Sequence, residues 1–359
     1  MMPSVAPMRR ASPARASLTV VQCVLLVLCR AAAVGAAAAG PRLPPGERAR
    51  AALKVVTELD GACGAETRRR AAFYALHPER FWGDEPCRGV LDRLAADAAA
   101  GAGDSVVGLD VGANVGVTLR DVHRCCGGGG GARVEVVAFE CNRLNLPILE
   151  GAAKEADFPV SIVARAASDV AGREVNFALP SGVDQDGAAF AAATPGNPFG
   201  AVAAAPPDGG APFETVATTT VDAALAARAP AARVAFAKVD VEGHEAAVLR
   251  GMRATLPRTR ALLVEVSDLA RDAGPTPLRD LVEFLDDRGF DVYRVGADCL
   301  LPLWGDHYHP IYDKWRYWSN VLAVRRGCSF AADAWASADV SGLDPDLDAA
   351  WLGPSGDAS

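Results

Sequence analysis

A doubly wound α/β domain, with a mostly parallel sheet closed by an antiparallel hairpin, is the fold this 359-residue sequence predicts. Three observations point to it. From Val106 onward, short apolar runs alternate with stretches of helical period. The runs are continuously apolar, as strands covered on both faces are. The first of them, "SVVGLDVGANVGVTL" (Ser105 to Leu119), breaks at Gly112 and Gly116, where a strand would give way to a helix.

The chain begins with Arg9, Arg10 and Arg15 ahead of the apolar "LTVVQCVLLVLC" (Leu18 to Cys29), followed by Arg30 and an Ala-rich run. A basic head, an apolar core and small residues for cleavage match a signal peptide or signal anchor over residues 1–40. The core is short for a membrane span, but residues 18–29 would anchor the chain if the leader is kept. The expected location is therefore the secretory pathway or the exterior. The same Arg, Ala and Ser content, with no acid before Glu47, also suits an organelle transit peptide.

The linker "PRLPPGERAR" and helices near 50–60, 66–76 and 87–100 make up an N-terminal segment, 41–104. The main domain spans 105–328. Its strands are "SVVGLDV", "VEVVAFE" (Val134 to Glu140), "VSIVARA" (Val160 to Ala166), "VAFAKVDV" (Val234 to Val241) and "ALLVEVS" (Ala261 to Ser267). The Ala/Gly/Pro-rich stretch from Gly187 to Phe213 reads as a flexible surface insertion. After the fifth strand, the helix "LRDLVEFLDDRG" leads to "FDVYRV" and "NVLAVRR", which predict the closing hairpin. The acidic tail, 329–359, reads as loosely held.

The formal charge is −8, and residues 1–40 hold four arginines and no acid, so the remaining body is more acidic still. Such a surface excludes nucleic acid, anionic membrane and polyanionic substrates as partners. Among the nine cysteines there is no C-x-x-C pair, and no His/Cys spacing suggests zinc, so no metal is expected. His307 and His309, two apart with no third partner, read as loop residues. In an oxidising lumen, Cys63 to Cys87 is the favoured disulfide. The aromatic stretch "LWGDHYHPIYDKWRYWSN" either covers a sugar-binding pocket or packs beneath a long loop.

In open α/β sheets, ligands sit beyond the carboxyl ends of the strands, where strand order reverses. Asp110, Gly112 and Gly116 fall at such an end, and a helix starting near Val115 would offer unpaired N–H groups to an anionic ligand group. Glu140 closes the second strand, where a carboxylate can accept from a ribose diol. Asn114 stands where a dinucleotide fold would need its second glycine. A nucleoside lacking pyrophosphate fits better, and S-adenosylmethionine is one.

The blocks "DVGANVG", "AFECNRLNLPIL", "AASD", "TTTVDAAL" and "KVDVEGHEAAVLRGM", in that order between about Val106 and Glu265, resemble the FkbM-type methyltransferases. The block from Lys238 to Met252 is the most specific. The resemblance implies a Rossmann-like class I methyltransferase fold and S-adenosylmethionine as cofactor. It also implies methyl transfer to a hydroxyl oxygen on a small molecule or glycan. The cofactor-binding candidates are Asp110, Gly112, Asn114, Gly116, Glu140, Asn142, Ser168 and Asp169. Asp169 either accepts from the adenine amine or caps a turn.

Asp240, Glu242 and His244 surround the end of the fourth strand as the catalytic candidates. His244 is slightly favoured as base because an imidazole titrates near neutrality. Asp240 is its competitor, and Glu242 is also explicable as a first-turn acid. A nucleotide-dependent oxidoreductase or epimerase, and a non-catalytic luminal binding protein of the same fold, are the alternatives.

Overall fold

The computed structural model describes residues 70, 71, 74, 78–81, 85–99, 106–127, 133–178, 202–203, 213–266, 277–296, 299–313 and 319–327. The leader, the linker, Cys63, the side chain of Cys87, the acidic tail and nearly all of the insertion lie outside them. Among the described residues, no helix is long and apolar enough to cross a membrane.

Helix α1 (Glu85–Ala99) precedes an alternating series: β1 (Val106–Val111), α2 (Leu119–Cys125), β2 (Val134–Phe139), α3 (Leu146–Glu155) and β3 (Val160–Val163). After an excursion, β8 (Arg233–Val239), α5 (Glu245–Arg250), β9 (Thr259–Val266), α6 (Leu278–Asp286), β10 (Phe290–Val295), β11 (Leu300–Pro302) and β12 (Ser319–Arg325) complete the main sheet. Its order is β11-β10-β12-β9-β8-β1-β2-β3, with β9, β8, β1, β2 and β3 parallel. Strand order reverses between β1 and β8. The expected doubly wound α/β fold is present.

Alternation along the buried strands sends side chains to opposite faces. Val137 and Phe139 of β2 join one apolar cluster, while Val136 and Ala138 join the other. Helices cover both. In α6, Leu278, Leu281, Val282 and Leu285 are buried at helical spacing, so one stripe faces the core, with Phe284 partly buried beside it and Arg279, Asp280 and Glu283 turned outward. β10 and β12 form the predicted antiparallel hairpin, with β12 inserted against β9. The short edge strand β11 was not foreseen.

The excursion differs from the sequence reading. "VSIVARA" is not one strand: β3 ends at Val163 and Ala166–Ala167 form β4 of a second sheet. That sheet, ordered β4-β7-β5-β6, contains β5 (Glu174–Ala178), β6 (Val202–Ala203) and β7 (Phe213–Thr219). Residues 202–203, within the stretch read as a flexible insertion, pair with Asn176 and Phe177 of β5. β7 leads into α4 (Val221–Arg228), and the Thr220 hydroxyl caps it by accepting from the Ala223 N–H. The Asp222 carboxylate accepts from the N–H groups of Ala254 and Thr255. Much of "TTTVDAAL" is thus structural.

Candidate active site

The turn after β1 owes its shape to left-handed backbone at Gly112 (φ 88°), Asn114 (φ 50°) and Gly116 (φ 91°). A Cβ on Gly112 would lie 1.7 Å from the Asp240 carbonyl oxygen, so this glycine lets the ends of β1 and β8 meet. A Cβ on Gly116 would press on Ala152 and Leu149 of α3. These left-handed residues also forbid a helix at Val115, and α2 begins only at Leu119. The Gly112 and Ala113 N–H groups donate to the Phe139 carbonyl, and that of Gly116 donates to Ala113. The expected N–H cradle at the head of a helix is therefore corrected at these positions: the turn spends those donors on its own chain.

Asp110 is fully buried at the end of β1. One carboxylate oxygen accepts from the Thr118 hydroxyl at 2.7 Å, and Oδ1 has no hydrogen-bond partner. Burial raises its pKa, against the opposing charge of Lys238. Glu140, the residue after β2, accepts from the Asn114 N–H at 2.8 Å and from the Asn142 N–H at 2.6 Å, one on each oxygen. Each oxygen keeps lone-pair capacity for another donor. Burial pushes the Glu140 carboxyl up to about 7 despite those N–H groups. The Asn142 side chain accepts from the Leu144 N–H and shapes the turn into α3.

Glu245 behaves similarly on the other side of β1. Its Oε1 accepts from the Val241 and Gly243 N–H groups at 3.1 and 2.9 Å, and burial raises its pKa to about 7. The sign of the resulting pH dependence follows. A folded pKa near 7, above the ordinary 4.5, means that the folded chain holds a proton the unfolded chain releases. Stability from Glu140 and Glu245 is complete below pH 4.5 and is lost as pH rises through about 7. Urea unfolding of the ligand-free chain across this range should show that decline, and Glu140→Gln should remove its own share of it while the share from Glu245 remains.

The β8–α5 loop that Glu245 braces carries Asp240, Glu242 and His244. Glu242 is itself left-handed at φ 56°, followed by Gly243 at 96°. Asp240 is paired with the Lys238 ammonium. Burial works to raise its pKa, but Lys238 and a hydrogen bond with Glu265 hold it below the usual carboxylate range. Glu265, near the end of β9, was not singled out from the sequence. It is 9 % exposed and its Oε2 has no hydrogen-bond partner. Burial and the charges of Asp240 and Glu242 hold its carboxyl well above the ordinary range. One carboxylate oxygen from each of Asp240, Glu242 and Glu265 lies within 4.8 Å of the other two. The signal for Glu265 was an acid inside an apolar strand.

His244 occupies the N-cap of α5, at the expected helix start. Its Nε2 lies 2.9 Å from the Ser168 hydroxyl, and Ser168 donates to Asp169 at 3.2 Å. With the Ser168 proton so used, Nε2 of His244 is the donor and Nδ1 the ring acceptor. Burial holds its pKa below the ordinary imidazole value. The fold thus joins a candidate base to two candidate cofactor residues. The described aromatics of the 303–320 stretch pack on protein: Tyr312, fully buried, meets Tyr74 and Tyr308 edge-on, and Trp304 meets Tyr293. His309 is fully buried and His307 contacts Arg70, so the two do not converge on a common site.

A Rossmann-like sheet with a glycine turn after β1, an acid after β2 and an acidic loop after β8 defines a doubly wound α/β protein with its candidate ligand site at the carboxyl edge of the strands. The sequence model of the "Methyltransferase FkbM domain" matches residues 110–292, and the chain belongs to that methyltransferase family. Among solved structures, it is similar to methyltransferase FkbM from Methylobacillus flagellatus KT, with 15% identity and a TM-score of 0.40, covering 77% of this chain and 59% of that one. It is also similar to a putative RNA methyltransferase from Pyrococcus horikoshii, with 11% identity, a TM-score of 0.29 and coverage of 77% and 96%. A precorrin-6y C5,15-methyltransferase from Geobacter metallireducens GS-15 gives 15%, 0.29, 66% and 88%. No curated protein matches the chain.

Proposed function

We propose that the chain transfers a methyl group from S-adenosylmethionine to a hydroxyl oxygen of a small molecule or glycan. The observation that carries this reading is the tie between the Asn114 N–H and Glu140, which holds a buried carboxylate against the glycine turn at the carboxyl edge of β1 and β2. There Glu140 accepts from the ribose diol, and the unpartnered Asp110 oxygen accepts from the ammonium of the methionine arm. Family membership supports methyl transfer; the acidic body supports an uncharged or cationic acceptor.

The reaction is an in-line displacement. The acceptor oxygen forms a bond to the methyl carbon, the carbon–sulfur pair departs with sulfur, and the hydroxyl proton passes to a base. Alignment and exclusion of water supply most of the rate, since sulfonium charge disperses as the bond forms. His244 receives the proton on Nδ1 in this reading, and Asp240 orients the acceptor. The contact between His244 Nε2 and Ser168 favours the second reading, in which His244 only positions Ser168 and Asp240 is the base.

Calorimetry with S-adenosylmethionine tests the cofactor. Glu140→Ala should weaken binding by about 1–3 kcal/mol, the usual cost of stranding buried partners. Because the ribose hydroxyls donate to the ionised form, affinity should rise with pH through about 7. Equal affinity in parent and variant would remove Glu140 from the site.

A further inference from the structure

We propose that Asp240, Glu242 and Glu265 form a binding site for a hard divalent cation of the magnesium, manganese and calcium class, at the acceptor side of the cleft. The proposal deepens the methyltransferase reading and, in the role it gives the ion, rests on it. The sequence reading expected no metal because it looked for Cys and His spacings. The donors here are three carboxylates brought together from β9 and the β8–α5 loop, and oxygen donors of this kind select hard cations.

Two features converge. First is the spacing: the three ligand oxygens lie within 4.8 Å of one another. Three oxygens at that limit share a centre about 2.8 Å from each, a little outside the 2.3–2.6 Å of calcium–oxygen bonds and further outside the 2.0–2.1 Å of magnesium, so a calcium-sized ion needs the smaller contraction. Second is the buried Glu265, whose Oε2 lacks a hydrogen-bond partner. A buried carboxylate oxygen with no donor is costly unless a proton or a cation answers it.

Sheet order gives the ion its side. The sequence of neighbours β9-β8-β1-β2 puts Asp240 and Glu265 across β1 from Glu140. If Glu140 holds the ribose, the carboxylate cluster faces the other half of the cleft, where the acceptor must enter. A cation there would take the acceptor hydroxyl oxygen as a further ligand, making its proton easier to remove and fixing it for in-line attack. The three carboxylates and water then supply the remaining ligands, and the proton still leaves to the base.

The test is titration of the purified full chain with Mn2+, following free Mn2+ by electron paramagnetic resonance, in parallel with S-adenosylmethionine calorimetry in a chelator. One saturable Mn2+ per chain, displaced by Mg2+ or Ca2+, is the expected result. Glu265→Gln and the half-buried Glu242→Gln should each weaken it by more than about tenfold, the scale of loss seen even for groups outside the ligand shell. Both variants should keep the parent's cofactor affinity. No saturable Mn2+ binding by the parent, or binding unchanged in both variants, overturns the site even if S-adenosylmethionine binds. Mn2+ binding that follows the carboxylates in a chain that ignores S-adenosylmethionine supports the site and overturns the methyl-transfer reading instead.

Discussion

Gly112→Ala is expected to destabilise the chain by at least about 3 kcal/mol, combining the cost of a left-handed non-glycine residue with that of overpacking. The added methyl would sit 1.7 Å from the Asp240 carbonyl oxygen, and that neighbour is backbone, not a side chain that can turn away. Relief requires β1 and β8 to part at their carboxyl ends, where the candidate cofactor and acceptor residues meet. Urea unfolding should show the loss of stability, and the folded fraction should also lose cofactor affinity. A variant as stable as the parent would mean that the two strand ends do not approach as described.

Asp240→Asn carries the second large effect. The substitution keeps the shape but removes the charge that pairs with Lys238 and sits among Glu242 and Glu265. Turnover should fall by about 100-fold to 10,000-fold if Asp240 takes the acceptor proton, the range typical of general base catalysis. S-adenosylmethionine affinity should stay near the parent's, because Glu140, which holds the ribose in this reading, lies across β1 from Asp240. His244→Ala, measured alongside, separates the two readings. Loss of turnover with a changed pH profile in His244→Ala, and only a raised acceptor KM in Asp240→Asn, assigns the base to His244. The reverse pattern assigns it to Asp240.

The main sheet was legible because its strands are long enough to show a signal that no other element mimics. "VEVVAFE" and "ALLVEVS" are apolar on both faces, and only a covered parallel sheet buries both. "VSIVARA" misled for a related reason: the apolar run continues through a break at Arg165 that only the second sheet explains. β5 and β7 were missed because neither is a continuous apolar run and both lie close to the Ala/Gly/Pro-rich stretch, whose composition dominated the reading. The start of α2 was misplaced because periodicity does not see the left-handed residues Gly112, Asn114 and Gly116, which run on either side of Val115 and delay the helix to Leu119.

At the site, Asp110, Glu140 and Asp240 were legible from strand ends alone. Glu265 was not, although its acid stood in the quoted strand. What gives it meaning is the parallel pairing of β8 with β9, which carries it toward Asp240 across a helix and a turn. The contact of His244 with Ser168 was equally invisible, since it joins the loop after β8 to the end of β4.

The antiparallel register of β5 and β7 sets Ala178 opposite Phe213, so the chain leaves β5 and enters β7 at neighbouring positions. For a flexible loop whose ends are already held together, each doubling of length costs only about 0.6 kcal/mol of closure entropy. A change in the length of the connection between those two positions therefore costs little closure entropy, and Thr219 and the helix after it can keep their places through it.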